Sequence, residues 1–411
     1  MRILYIHQFF ATRESDLGLI RSYEFARRMV EAGHQVTMIT SSSRLPEQFQ
    51  RRVFVRAEVD GIDVRSVRVR YSNQMPYARR ILSFLLFTAG AKWLGITAPR
   101  PDVVLATSTP LTVGVPGLIA AWVHGAPFVF EVRDLWPEAA IQMGALKRGG
   151  PLATLAKALE RFLYRRAAAV IALSPGMVAG VIAEGTDPAR VHMVPNCSDI
   201  DLFHPGPRDA KLVRRFHLAH KFVVAYAGAI GPSNGLEHQV PQAAKLLQGR
   251  GRDDIVFLIA GDGKSLPLLR EAKERDSLDN LVLAGSMPKA EVPALTRTAD
   301  VLMTLFADVP ILATNSPNKF FDALASGVPV IVNQPGWTKD LVEENDAGVA
   351  VPAADPFALA DAIERLSDDR AAVKRMGRNA RVLAERRFSR DEMAAEVIRI
   401  LEDVVTEAKV R

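Results

Sequence analysis

The chain has 411 residues, 48% of them hydrophobic and 24% charged, which is the balance of an ordinary globular protein. That composition excludes a disordered tail, a collagen-like rod and a disulfide scaffold, and at about 100–200 residues per domain the length provides for two or three domains. The net charge of +6 is unevenly placed: residues 1–200 carry 24 Lys+Arg against 16 Asp+Glu, and the remainder 28 against 30. A basic first half suits anionic lipid or a phosphorylated substrate. Nucleic acid fits less well, because no basic strand is interleaved with aromatics and no nucleic-acid module is recognisable. The only cysteine, Cys197, permits no internal disulfide, so a reducing compartment is expected.

The opening MRILYIHQFF is too short for a secretory leader and reads as a strand. Arg2–His7 and Gln35–Thr40 then flank a helix expected over Leu17–Ala32, with Leu19, Ile20, Tyr23, Ala26 and Val30 at helical spacing. Asp102–Ala106, Phe128–Val132 and Ala169–Leu173 read as buried strands, separated by helices at Leu111–Val123 and Pro151–Arg166. Such alternation predicts βαβ units and a parallel sheet covered on both faces. A Pro- and Asp-rich stretch from Val194 to Pro207 breaks the pattern and reads as a linker. The alternation then restarts with strands at Phe222–Ala227, Ile255–Ala260, Leu281–Ala284, Val301–Phe306 and Val328–Val332, and Asp391–Arg411 forms one amphipathic helix. The expected organisation is a domain over 1–204, a second over 205–390, and a terminal helix over 391–411 packing back on the first. Ligands of such open α/β sheets bind at the carboxyl ends of the strands, so two facing sheets predict a site in a cleft.

The strongest local signal is Ser316-Pro317-Asn318-Lys319-Phe320-Phe321-Asp322, running on through Gly327 to Val330. Serine then proline is a good cap and first-turn pair. The free amides of that turn suit a phosphate, Lys319 adds a cation, and Asp322, three residues on, can accept hydrogen bonds from two ribose hydroxyls. Three glycine turns stand after strands of the same half: Gly228 to Gly235, including Gly231 and Asn234; Gly261-Asp262-Gly263; and Gly285-Ser286-Met287-Pro288. Each alone is turn chemistry, but four loops at one sheet edge describe a nucleotide site.

These motifs, together with Gly33-His34-Gln35-Val36-Thr37, Glu131-Val132-Arg133-Asp134-Leu135-Trp136-Pro137-Glu138, Leu173-Ser174-Pro175-Gly176-Met177 and Val194-Pro195-Asn196, resemble glycosyltransferase family 4. The bacterial branch that builds O-antigen, capsule and colanic-acid polysaccharides, with fucosaminyltransferase-like members, is the most similar. The resemblance implies an α/β fold of two Rossmann-like domains facing across a cleft (GT-B), and a retaining transfer from a nucleotide diphosphate-sugar, UDP favoured, with no metal or other cofactor. It implies a base against the Gly261–Gly263 and Gly285–Pro288 loops, diphosphate near Gly231 and Lys319, and ribose on Asp322. The implied acceptor is a glycan, often carried on undecaprenyl diphosphate, and the expected place is the cytoplasm, with peripheral contact at the inner membrane.

The chain departs from the family pattern in two places. The pair of glutamates spaced along the donor helix reads Thr314 and Asp322, and the first glycine loop carries Ala229 and Asn234 where an Arg and a Lys are common. Lys319 is then the expected phosphate cation. Glu131, Arg133 and Asp134, at the end of the Phe128–Val132 strand, are the catalytic candidates; an internal Arg–carboxylate pair is the competing explanation, since grouped charges beside an apolar strand are costly unless paired. Arg79-Arg80-Ile81 through Trp93-Leu94 reads as a buried helix that also suits a membrane surface. Two other functions share this architecture: a non-hydrolysing nucleotide-sugar epimerase and a catalytically silent nucleotide-sugar binder. A dehydrogenase is disfavoured because no GxGxxG follows the first strand.

Overall fold

The computed structural model describes residues 1–12, 21–72 and 75–410, the side chain of residue 77 excepted, as two compact units, Met1–Pro195 with Asp391–Arg411, and Asn196–Arg390. The stretch from Asn196 to His204, expected to close the first domain, belongs to the second unit.

In the first unit β1 (Arg2–Ile6), α1 (Arg21–Glu31) and β2 (Gln35–Ser41) open the fold. Helix α1 begins among the described residues at Arg21; residues 17–20 of the expected helix, Leu19 and Ile20 included, lie outside them. A hairpin of β3 (Phe54–Val59) and β4 (Ile62–Val67) follows, then α2 (Tyr77–Ile96), β5 (Val103–Thr107), α3 (Gly114–His124) and β6 (Phe128–Val132). After the short α4 (Glu138–Gln142) come α5 (Pro151–Arg166), β7 (Ala169–Ala172), α6 (Pro175–Ala183) and β8 (Val191–Met193). The sheet order is β3-β4-β2-β1-β5-β6-β7-β8, parallel throughout except between β3 and β4. The central strands β5, β6 and β7 are wholly buried and mostly apolar, as a sheet covered on both faces requires. Ser174 caps α6 by accepting from the Met177 amide at 3.1 Å, with Pro175 in the first turn.

The hairpin was not expected from the sequence. Its turn, Asp60-Gly61, has φ of 50° and 75° at its two residues, the sign of a two-residue hairpin turn. The strands carry Arg56, Glu58, Asp63 and Arg65, and β3 has no fully buried position, so hydropathy alone hides them. Arg56 and Arg65 both bond to Asp63, a charge pairing that suits an exposed edge.

The second unit holds α7 (Ala210–Arg215), β9 (Phe222–Ala227), α8 (Leu236–Gly249), β10 (Ile255–Ala260), α9 (Leu266–Arg275), β11 (Leu281–Gly285), α10 (Val292–Thr298) and β12 (Val301–Thr304). It continues through α11 (Asn318–Ala325), β13 (Val330–Val332), α12 (Trp337–Glu344), β14 (Gly348–Ala350), α13 (Pro356–Asp368) and α14 (Arg370–Arg387). Its six strands are all parallel, in the order β11-β10-β9-β12-β13-β14. Two apolar layers, one under α8, α9 and α13 and one under α11 and α14, sandwich that sheet. The final helix, α15 (Arg390–Val410), joins the first unit from Asp391 onward. Arg28 of α1 pairs with Asp391 there. In both sheets the order reverses beside the first strand of the unit, β1 and β9, which marks the carboxyl edge there as the place for a ligand.

Candidate active site

At the carboxyl edge of the second sheet, three loops lock together through their backbones. The Gly228 amide donates to Ala260 O at 3.0 Å, Ile230 to Asp262 O at 2.9 Å, and Gly261 to Gly285 O at 2.8 Å. This fixes the purpose of Gly261: with φ of +148° and a would-be Cβ 1.8 Å from Gly228 O, any side chain would collide with the neighbouring loop. Gly263 stands in the same relation to Ile230 O, at 2.2 Å. The glycines expected beside a base thus make backbone approach backbone. Gly261→Ala is expected to cost about 2–4 kcal/mol, from strained φ and the collision; an unchanged urea midpoint would remove this account.

Asn234 is buried and closes the first loop, its amide donating to Gly231 O at 2.8 Å. Nothing lies within 4 Å of a Cβ built on Gly231 or on Gly285, so both border open space. Asp262 is exposed and accepts from the Gly263 amide at 2.7 Å. Met287 is half-buried against the core layer that includes Phe320 and Phe321.

Helix α11 differs at its start from the expected form. Pro317 occupies the cap position without a side-chain bond. Ser316 does not cap, because its Oγ accepts from the Asn196 amide at 3.0 Å while Asn196 Nδ2 donates to Ser316 O. Asn318 is exposed. The next residue is Lys319, whose Nζ lies 4.0 Å from the centroid of the Tyr226 ring and donates to the Tyr226 hydroxyl. Tyr226 in turn donates to Ala229 O at 2.6 Å. No carboxylate pairs with Lys319 among the described residues, and burial alone pulls its ammonium down to about 7. Asp322 accepts from Ser198 Oγ at 2.8 Å. Burial pushes its carboxyl up to about 6, against the opposing pull of the Ser198 bond, Arg390 and Lys289. Thr314 turns its hydroxyl back to Ile311 O at 2.7 Å.

One edge therefore presents an uncompensated cation and a nearby carboxylate on the same helix, over rigid glycine loops. That pair can hold an anionic phosphate and a diol. Tyr226 and Ser198, which position the two groups, were not legible in the sequence, because each reaches its partner across 93 and 124 residues.

At the carboxyl edge of the first sheet the three catalytic candidates separate. Glu131 is buried and both of its oxygens are taken: Arg21 Nε donates at 2.9 Å to one, and Thr107 to the other. Arg21 also reaches the carbonyls of Val194 and Pro195. Burial pushes the Glu131 carboxyl up, but the charges of Arg21 and Arg133 with these bonds hold it below the ordinary range. This is an internal ion pair tying α1 and the 194–195 segment to β6. Asp134 accepts from Thr109 Oγ1 at 2.8 Å, and burial raises its carboxyl above the usual value. Arg133 anchors through its backbone, whose amide donates to Ser108 Oγ at 3.0 Å; its guanidinium has no ion pair among the described residues. Leu135 of the same stretch packs on Gly180, where an added Cβ would sit 2.6 Å from it. His7 holds Ser22 Oγ at 2.7 Å, and burial, with Arg133 and Arg44, keeps its imidazole far below the usual range.

Each unit thus places candidate ligand-binding side chains at the carboxyl edge of a largely parallel α/β sheet. The chain belongs to the glycosyltransferases: residues 20–197 match the glycosyl transferase 4-like domain and residues 211–383 the glycosyl transferases group 1 domain. It is 29% identical over 242 residues to the alpha-D-kanosaminyltransferase of Streptomyces kanamyceticus, a match spanning 57% of this chain and 60% of that protein. WcaI of Escherichia coli, which bears the name of a colanic acid biosynthesis glycosyl transferase, is 25% identical over 77% of this chain and 79% of its own. Among solved structures, Anabaena HepE in complex with UDP and glucose has a TM-score of 0.71 at 19% identity, covering 98% of this chain and 99% of that one. Sucrose-phosphate synthase from Thermosynechococcus elongatus gives 0.77 at 16%, covering 99% of each.

Proposed function

We propose that this protein transfers a sugar, with retention of configuration, from a UDP-sugar to a lipid-linked or growing cell-surface polysaccharide. The observation that carries the donor half is Lys319: a half-buried ammonium with no carboxylate partner among the described residues, over the Tyr226 ring and one helical turn before Asp322. A diphosphate would supply the missing charge, the Asp322 carboxylate would accept from the ribose, and the lysine would do the work of a metal. The UDP complexes of HepE support that class of donor, and the resemblance to family 4 supports retention. The similarity to WcaI supports the polysaccharide branch. Asp134 and Arg133 are the groups left to meet the transferred sugar or the acceptor hydroxyl, by position and charge.

The test is a thermal-shift screen of UDP, GDP, ADP and CMP, with and without EDTA. A ligand of the folded state alone stabilises by about 2.7 kcal/mol at a hundredfold excess over its Kd. A selective, EDTA-resistant rise with UDP is expected; no rise with any nucleotide would sink the donor site. Inverted anomeric configuration in the product, read by NMR, would sink retention.

Contact with a membrane surface has its own support. On α2 the side chains Leu82, Leu85, Leu86 and Trp93 are exposed, Trp122 of the adjoining α3 is 82% exposed, and Arg79 and Lys92 flank them. No described helix is long and apolar enough to cross a membrane. Tryptophans and basic residues around an apolar face are the pattern of interfacial binding. Co-flotation with anionic vesicles is expected, and Trp93→Ser with Trp122→Ser should weaken it by about tenfold or more; equal flotation of both proteins would remove the proposal.

A further inference from the structure

Around the carboxyl edge of the first sheet stand three arginines that the donor site does not use. Arg44 closes the turn after β2, Arg80 lies in the first turn of α2, and Arg133 follows β6. All three are half-buried, and none pairs with a carboxylate among the described residues. Arg80 Nε is buried without a hydrogen-bond partner. Between the first two lies a continuous aromatic cluster. Phe9 and Tyr71 have centroids 4.6 Å apart, Tyr71 and Phe84 stack at 5.7 Å, and Phe9 meets Phe84 at 6.4 Å. Arg44 sits over Phe9 at 4.9 Å and Arg80 over Tyr71 at 5.8 Å. The Arg44 and Arg133 charges both bear on His7 and on each other. Beside them Gln8, fully buried, has neither side-chain atom bonded.

Half-buried like charges without a carboxylate partner are unfavourable, and cation–π contacts return only part of that cost. Three other buried or half-buried arginines of the same unit are neutralised: Arg21 by Glu131, Arg28 by Glu24 and Asp391, Arg65 by Asp63. Guanidinium forks over aromatic rings suit phosphate oxygens next to a sugar face. We infer that this edge is an anion site for the acceptor, Arg44, Arg80 and Arg133 taking a phosphate or diphosphate and the Phe9–Tyr71 pair taking the adjoining ring. The inference deepens the acceptor half of the proposed function and rests on that reading.

The test uses the full chain with Lys319→Ala, which removes the donor-site cation, and titrates inorganic pyrophosphate by calorimetry. Binding is expected, weakening with added salt and falling about tenfold or more when Arg44→Gln and Arg80→Gln are introduced. No binding by the Lys319→Ala protein, or the same Kd with and without the glutamines, overturns the site. Should the double glutamine variant lose its circular dichroism, Arg44→Lys with Arg80→Lys keeps the charge and loses the fork; a severalfold loss supports the site and an unchanged Kd overturns it. The source of the phosphate is read with two probes, a hexose 1-phosphate in solution and neutral vesicles doped with a polyprenyl phosphate. Arginine-dependent capture of either supports the site, and the probe captured names the source. Failure of wild-type protein to bind UDP, with pyrophosphate binding intact in the Lys319→Ala protein, would sink the donor reading and leave this site standing.

Discussion

Lys319→Ala is expected to raise the Kd for UDP by roughly 10- to 100-fold, the loss of one charge-assisted contact in a buried place. A Kd within twofold of wild type would remove Lys319 from the donor site. The pH dependence follows from the same group. Its ammonium titrates at about 7 and Asp322 at about 6, so both carry charge only in a narrow window between them. Donor affinity should fall on the acid side as Asp322 protonates and on the alkaline side as Lys319 loses its proton. The alkaline limb should vanish in the Lys319→Ala protein. Stability moves the other way. The folded lysine holds its proton less firmly than the unfolded one, so the free protein gains stability as the pH rises from about 7 towards the ordinary lysine value, and loses it as the pH falls through that range. Lys319→Met should therefore stabilise the unliganded protein near pH 6 while weakening UDP. The site stores an unfavourable charge that the ligand relieves.

Glu131→Ala is expected to destabilise the first unit by about 3–5 kcal/mol, since it strands the Arg21 guanidinium in a buried setting. The double replacement Arg21→Met, Glu131→Met should recover most of that loss, because two apolar groups leave no orphan charge. Urea unfolding of the three proteins decides the matter. A loss of turnover at Glu131→Ala with an unchanged midpoint would instead return Glu131 to the catalytic candidates. The sign with pH is fixed by its lowered carboxyl value. The pair's contribution is full above the unfolded glutamate value and disappears as the pH falls through the folded one.

Much of the architecture was legible because buried parallel strands are apolar runs and helices keep their period. Phe128–Val132, Phe222–Ala227 and Ile255–Ala260 are strands over the expected residues, as Pro151–Arg166 is a helix. The edge hairpin was hidden by its charges, although Asp60-Gly61 is a readable turn signal. In the site, Lys319 and Asp322 were visible because they share one short helix. Their partners were not, since Ser198, Tyr226 and Arg390 approach only through the tertiary fold. Ser316 misled for a related reason: a cap signature is local, while the Asn196 amide that claims its hydroxyl lies 120 residues away.

The terminal helix has a temporal consequence. Ala394, Val397, Ile400, Leu401, Val404 and Val405 are buried, and residues from Asp391 onward are part of the first unit. A ribosome working from the amino end releases Met1–Pro195 early, yet must make all of Asn196–Arg390 before it delivers the segment that completes them. The unit that is second in sequence is therefore the first to possess all of its parts. The first one waits for its last helix with an apolar seam still open.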